Sequence, residues 1–206
     1  MGSIYGDYAE YLPLIMENFA DRIRKFDSCE YEKNGSHIFE HFNYRIKDEE
    51  SMREKCERQS LEPVPLNALR TIHDSIGFRI ICLFRQDVFD LVEYFRNSPG
   101  CEVVEEKDYI RKAKPNGYRS YHLILMTEVP YPDIDGNDPG RYYVEVQLRT
   151  IAMDTWAALE HEIKYKQDIK FDRQDLITKE LKRCADDLAA CDVSMQTLRD
   201  LVKNDQ

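Results

Sequence analysis

Between residues 142 and 149 the sequence alternates without a break: Val144, Val146 and Leu148 fall on one side, Tyr143, Glu145, Gln147 and Arg149 on the other. Successive side chains of an extended chain point to opposite faces, so this segment is a strand with one face in a core and one polar face. A polar face of that kind either meets solvent or lines a site. Residues 118–126 repeat the pattern, with Tyr118, Ser120 and His122 opposite Arg119, Tyr121 and Leu123. Two such strands side by side could present Tyr118, His122, Glu145 and Gln147 to one cleft. A ring for stacking and groups for hydrogen bonding are what a purine base requires, and nearby cations suit its phosphates.

Three further strands are expected. Residues 37–47 alternate loosely, residues 77–84 are dense in Ile and Phe but too short for a confident helix, and residues 107–110 join 118–126 through the turn signal Pro115-Asn116-Gly117. Helices are expected around them. Over 8–26, Leu12, Ile15, Met16, Phe19, Ile23 and Phe26 form one stripe; 48–59 starts with acids and ends near Lys55 and Arg58; 66–72, 86–97 and 151–166 complete the set. Residues 27–35 read as a polar loop. Near the C-terminus, Ile177, Leu181, Cys184, Leu188, Cys191, Met195, Leu198 and Val202 follow an alternating four-and-three spacing, a heptad seam that suits docking on the N-terminal helix or on another subunit. A chain of 206 residues suits a single domain, 1–206, with a core over about 38–166, an N-terminal helix over about 8–26 and a C-terminal helix over about 173–203.

The formal net charge of −10 disfavours broad binding to DNA, tRNA or anionic membranes, so a phosphate site must be a local basic pocket. Lys107, Arg111, Lys112, Lys114 and Arg119 stand against the single acid Asp108 and supply one. No apolar run approaches the roughly 18 residues that a membrane span needs, and a cytoplasmic protein is expected. The six cysteines show no CxxC pairing and read as reduced thiols, mostly in the core. Asp74 precedes the Gly77 strand, and Glu145 lies on the polar face of another. Singly, each suits a cap or a salt bridge; together they could hold Mg²⁺ through a few oxygens plus substrate phosphates.

In order along the chain stand Arg45-Ile46-Lys47 with Ser51 and Lys55, the block from Asp74 to Arg79, Lys107-Asp108-Tyr109-Ile110, Lys114-Pro115-Asn116-Gly117-Tyr118-Arg119-Ser120-Tyr121-His122, Glu145-Val146-Gln147-Leu148-Arg149-Thr150, and Met153-Asp154 through Trp156, Glu160-His161 and Tyr165-Lys166. This series resembles the synthetase domain of the RelA/SpoT-homologue family, and its short flanks resemble the small alarmone synthetase branch. The resemblance implies an α+β nucleotidyltransferase-like fold, a mixed sheet of about five strands flanked by helices. It also implies a GTP/GDP pyrophosphokinase that uses ATP, Mg²⁺ and GDP or GTP and makes (p)ppGpp and AMP.

By the same resemblance, Asp74 holds Mg²⁺, while Glu145 completes the metal site or takes the proton of the acceptor's 3′-hydroxyl. Arg45, Lys47, Lys55, Arg79 and Arg111 bind the ATP side. Tyr118 stacks on guanine, with Lys114, Asn116, His122 and Gln147 lining the acceptor site. A homotetramer and an alarmone as allosteric ligand are further implications. Asp48 departs from the serine that many relatives carry after Arg-x-Lys, and the wording of Lys112-Ala113-Lys114 differs slightly. Two other classes fit the same residues: a toxin-like relative that pyrophosphorylates tRNA or an adenine nucleotide, and a non-catalytic sensor of nucleotide or RNA.

Overall fold

The computed structural model describes residues 2–165 and 174–204. A 3-10 turn, Gly6–Glu10, leads into α1 (Tyr11–Asn34), β1 (Phe39–Ile46) and α2 (Glu49–Arg58). A π-helical turn, Asn67–Thr71, then precedes β2 (Ile76–Cys82), α3 (Arg85–Asn97), β3 (Cys101–Asp108), β4 (Tyr121–Val129), β5 (Gly140–Thr150), α4 (Ile151–Tyr165) and α5 (Gln174–Asn204). The strands form one mixed sheet in the order β1-β2-β5-β4-β3; β2 and β5 run parallel and the other neighbours antiparallel. This is the five-stranded α+β architecture expected.

Alternation decides which face of the sheet is covered. Ile76, Phe78 and Ile80 of β2, Leu123 and Leu125 of β4, and Val144, Val146 and Leu148 of β5 join one core with Leu12, Ile15, Phe19 and Ile23 of α1 and Val88, Leu91, Val92 and Phe95 of α3. Phe19 is the hinge of this packing, its ring centroid 4.9 Å from that of Phe78 and 5.7 Å from that of Phe95. Phe19→Ala would therefore cost about 3–5 kcal/mol in lost burial and residual cavity. With the apolar face committed to α1 and α3, the polar residues of the same strands are left to the opposite face.

The structure corrects several boundaries. Residues 27–34 are helix, not loop: α1 runs to Asn34 and ends at Gly35, whose φ of 68° is the left-handed conformation that favours glycine at a helix end. Their polarity reflects a solvated last turn with Lys33–Glu30 and Asn34–Glu30 bonds, while buried Asp27 accepts from the Ile38 N–H and pairs with His37. β3 begins six residues earlier than the expected 107, because as an edge strand with exposed Glu102, Glu105 and Glu106 it shows little alternation. Tyr118 lies in the loop before β4 rather than on the strand.

The heptad seam divides between two environments. Ile177, Leu181 and Leu188 face Trp156 of α4, while Cys184, Cys191, Met195, Leu198 and Val202 are exposed. Thus α5 docks on α4 and α3, not along α1. Leu159 and Ile163 of α4 are exposed as well. All six cysteines are unbridged, but only Cys56 and Cys82 are fully buried, so the expectation of core thiols fails at exposed Cys29, Cys184 and Cys191. Lys166, the end of the expected core, lies outside the described residues.

Candidate active site

Strand register places the polar residues in two rows across the uncovered face. One runs Arg45, Gly77, Glu145, Ile124 and Glu105; the next runs Asn43, Arg79, Gln147, His122 and Lys107. Gly77 is the gap in the first row: a Cβ there would meet no atom within 4 Å. Over that gap lies a cavity of about 220 Å³ lined by Asn43, Tyr44, Arg45, Gly77, Phe78, Arg79, Glu145 and Gln147. A second cavity of about 260 Å³ is lined by Lys55, Asp74, Glu105, Lys107 and again Glu145. Glu145 is therefore a wall common to both.

Asp74 enters from the segment before β2. Its Oδ2 accepts from Lys55 Nζ at 2.6 Å and from Lys47 Nζ at 3.2 Å, while its Oδ1 is buried without a hydrogen-bond partner. Burial alone would raise the Asp74 carboxyl, but the two ammonium groups outweigh it and hold the group below its ordinary range. Glu145 goes the other way. Its carboxyl is raised by burial first and by the charge of Asp74 second. An orphan carboxylate oxygen beside a second acid that repels it suits a hard divalent cation. No group of three or more His, Cys, Asp or Glu converges among the described residues, so most of that cation's ligands must come from substrate and water.

The residues expected to line the acceptor site also come together. The Tyr118 hydroxyl lies 2.8 Å from His122 Nε2, Lys114 Nζ sits 4.8 Å from the Tyr118 ring centroid, and Asn116 Oδ1 accepts from the Tyr118 N–H at 3.1 Å. Tyr109, His122 and Trp156 meet the Tyr118 ring in edge-to-face contacts, and the Arg149 guanidinium lies 5.3 Å from its centroid. Burial, followed by the charges of Arg149, Lys114 and Lys107, lowers His122 to about 4, so the imidazole is neutral at physiological pH.

A model of the region found in RelA and SpoT proteins matches residues 44–170, the stretch that carries both cavity linings apart from Asn43, and the Tyr118 loop. The chain belongs to the RelA/SpoT family. Among its relatives, the GTP pyrophosphokinase YwaC of Bacillus subtilis is 39% identical over 165 residues, 79% of this chain and 76% of its own length. The GTP pyrophosphokinase YjbM of the same organism is 33% identical over 86% of this chain and 79% of its own. The small alarmone synthetase 1 of B. subtilis bound to its product pppGpp superposes with a TM-score of 0.78 at 28% identity, covering 96% of each chain. Small alarmone synthetase 2 of that organism gives 0.74 at 34% identity, over 94% of this chain and 98% of its own.

Within this RelA/SpoT protein, Arg45 and Arg79 line the first cavity, Lys55 the second, and Lys47 reaches Asp74. Arg111 is the exception among the expected donor residues. It pairs with Asp108 at 3.4 Å and lies over the Phe89 ring at 4.8 Å, away from both linings, because α3 draws it to the covered side of the sheet. The basic loop is partly neutralised in the same way, Lys107 by Glu105 and Arg119 by Asp186 of α5. Asp48 is the N-cap of α2 and accepts from the Ser51 N–H at 2.9 Å, a role that serine fills equally well.

Sequence reasoning assigned no role to Asn43, Gly77, Arg149 or Asp154. Arg149 carried a signal, since it continues the 145, 147, 149 spacing of the polar face. Asp154 stood in the Met153-Asp154 block without a role, because only the fold of α4 against β5 puts its Oδ1 2.8 Å from Arg149 Nη1.

Proposed function

We propose that this RelA/SpoT protein is a GTP pyrophosphokinase that moves the β,γ-pyrophosphate of ATP to the 3′-hydroxyl of GDP or GTP, making (p)ppGpp and releasing AMP. The observation that carries the reading is Glu145 standing between the arginine-lined cavity and the cavity of Asp74. The GTP pyrophosphokinases YwaC and YjbM support it by kinship, as does a small alarmone synthetase 1 bound to AMPCPP, TM-score 0.73 at 25% identity.

In this reading Arg45, Lys47, Lys55 and Arg79 bind the donor. Asp74 would hold Mg²⁺, which when bound supplies neutralisation of the phosphate charge, and Glu145 would either complete that site or serve as the base. Lys47 and Lys55 keep Asp74 ionised. Tyr118 stacks the guanine, with Lys114, Asn116, His122 and Gln147 around it. The 3′-oxygen of the acceptor bonds to the β-phosphorus of ATP, the bond to the α-phosphate oxygen breaks, and AMP carries away that electron pair. The hydroxyl proton passes to Glu145, whose affinity for protons is raised by burial and by the charge of Asp74. Alignment of two nucleotides and charge stabilisation carry most of the catalysis.

The exposed apolar row of α5, Cys184, Cys191, Met195, Leu198 and Val202, supports assembly into a homotetramer, which sedimentation at micromolar concentration tests. No helix among the described residues is long and apolar enough to cross a membrane, in keeping with a cytoplasmic location. The reaction itself is tested by incubating purified protein with ATP, Mg²⁺ and GDP, GTP or tRNA and resolving the products. AMP with ppGpp or pppGpp is the expected outcome. A pyrophosphorylated tRNA, or no transfer at all, would overturn the reading.

A further inference from the structure

Arg149 is a buried cation, its side chain 6% exposed beneath α4. Its Nη1 donates to Asp154 Oδ1 at 2.8 Å, and its Nη2 donates both to the Tyr118 hydroxyl at 3.0 Å and to Gln147 Oε1 at 3.1 Å. The Nε–H is buried without an acceptor. A guanidinium taken out of water with one donor unpaired is costly, and an apolar side chain would fill the same place more favourably. What only the guanidinium provides is direction.

Two consequences follow from these bonds. The Tyr118 oxygen accepts from Arg149 and lies 2.8 Å from His122 Nε2, so the ring is tethered by its hydroxyl from two sides. The Gln147 amide, its oxygen on Arg149, must aim its nitrogen elsewhere, and Gln147 Nε2 donates to Glu145 Oε2 at 3.3 Å. One planar fork thus fixes the stacking ring on one side and the acid shared by both cavities on the other, with Asp154 fixing the fork.

The geometry points to Arg149 as the positioning residue of this active site, aligning the acceptor's base platform at Tyr118 with the Glu145 carboxylate through Gln147. This deepens the pyrophosphokinase reading and rests on it for the identity of the acceptor. The groups facing the Tyr118–His122 pair are Arg149 of β5, Lys114 and Tyr109 of the loop and Lys107 of β3.

Arg149→Lys tests it, because lysine keeps the charge and the stem but has no planar fork to serve Tyr118, Gln147 and Asp154 together. Expected is a fall of about tenfold to a hundredfold in kcat/KM for GTP, the scale of a lost hydrogen bond to a charged group, with the KM for ATP within about twofold of wild type. Tyr118→Phe removes one of the same bonds without touching the buried cation. In a double-mutant cycle the two effects should be strongly non-additive.

Calorimetric binding of GTP, read without turnover, should weaken in both variants. Lysine at full acceptor efficiency, an equal rise in the KM values for ATP and GTP, or additive effects in the cycle would each overturn the positioning role. Wild-type protein that binds GTP through these residues but transfers nothing would overturn the pyrophosphokinase reading and leave the positioning role supported.

Discussion

The Cβ that Gly117 lacks would stand 2.6 Å from the Cβ of Ala185, so the turn of the Tyr118 loop rests directly on α5. Gly117 also has a φ of 96°, outside the range of ordinary side chains, and its N–H closes the turn onto Lys114 O at 2.8 Å. Arg119 pairs with Asp186 one residue further along α5, which ties the loop to the helix, and Trp156 Nε1 of α4 donates to Leu181 O, which holds the helix itself in place. Ala185→Leu should push the helix and the loop apart, with a loss of about 1–3 kcal/mol from overpacking. The KM for GDP or GTP should rise more than that for ATP. Urea denaturation and steady-state kinetics check the two parts; equal changes in both KM values would show that the contact serves stability alone.

Gly77 leaves a gap beside Glu145 in the cavity proposed for the donor, and space is open where its Cβ would be. Gly77→Ala should therefore fold normally and be about 0.5 kcal/mol more stable as the unfolded chain loses freedom, since its φ lies outside the positive range. Its methyl group enters the space assigned to ATP, so the KM for ATP is expected to rise at least severalfold. Thermal melts paired with ATP titrations decide this, and unchanged donor kinetics would move the nucleotide elsewhere.

Replacing the two acids should separate stability from activity. Glu145 is buried and repelled by Asp74, and its raised carboxyl makes its ionised form a cost to the folded state that grows as pH rises above the ordinary glutamate range. Glu145→Gln should leave stability at pH 8 unchanged or slightly higher while transfer falls by more than about a hundredfold. Asp74→Asn should also abolish transfer but cost stability, because Lys47 and Lys55 lose the carboxylate they share. A Glu145→Gln protein with normal turnover would remove this carboxylate from the chemistry.

His122 sets a pH dependence. Its ordinary value near 6.5 is lowered to about 4 in the folded protein, first by burial and then by Arg149, Lys114 and Lys107. Between those limits the unfolded chain binds a proton that the native state resists, so stability is full above 6.5 and falls as pH drops toward 4, by up to about 3 kcal/mol. His122→Gln, which can still accept from Tyr118, should lose less stability between pH 7 and pH 4.5 than wild type does. Parallel denaturation curves at the two pH values would assign the acid loss to the carboxylates instead.

Local pattern carried much of this protein. Alternation in β5 and the spacing of the α1 stripe depend on chain periodicity alone, which is why Val144, Val146, Leu148, Leu12, Phe19 and Ile23 were readable as core. The ordered motifs likewise named Asp74, Glu145, Tyr118 and His122, since residue type and sequence order need no coordinates. Edge strand β3 and the last turns of α1 were not readable, because solvent-facing residues impose no period.

What the tertiary structure alone decided is which side chains meet. Parallel pairing of β2 with β5 sets Gly77 beside Glu145, and packing of α4 and α5 brings Asp154 to Arg149 and Ala185 to Gly117. It also sends Arg111 to Phe89 rather than to the donor cavity. Composition and period determine how each segment folds and which face it hides; register and helix docking, summed over contacts distant in sequence, determine the geometry of the site.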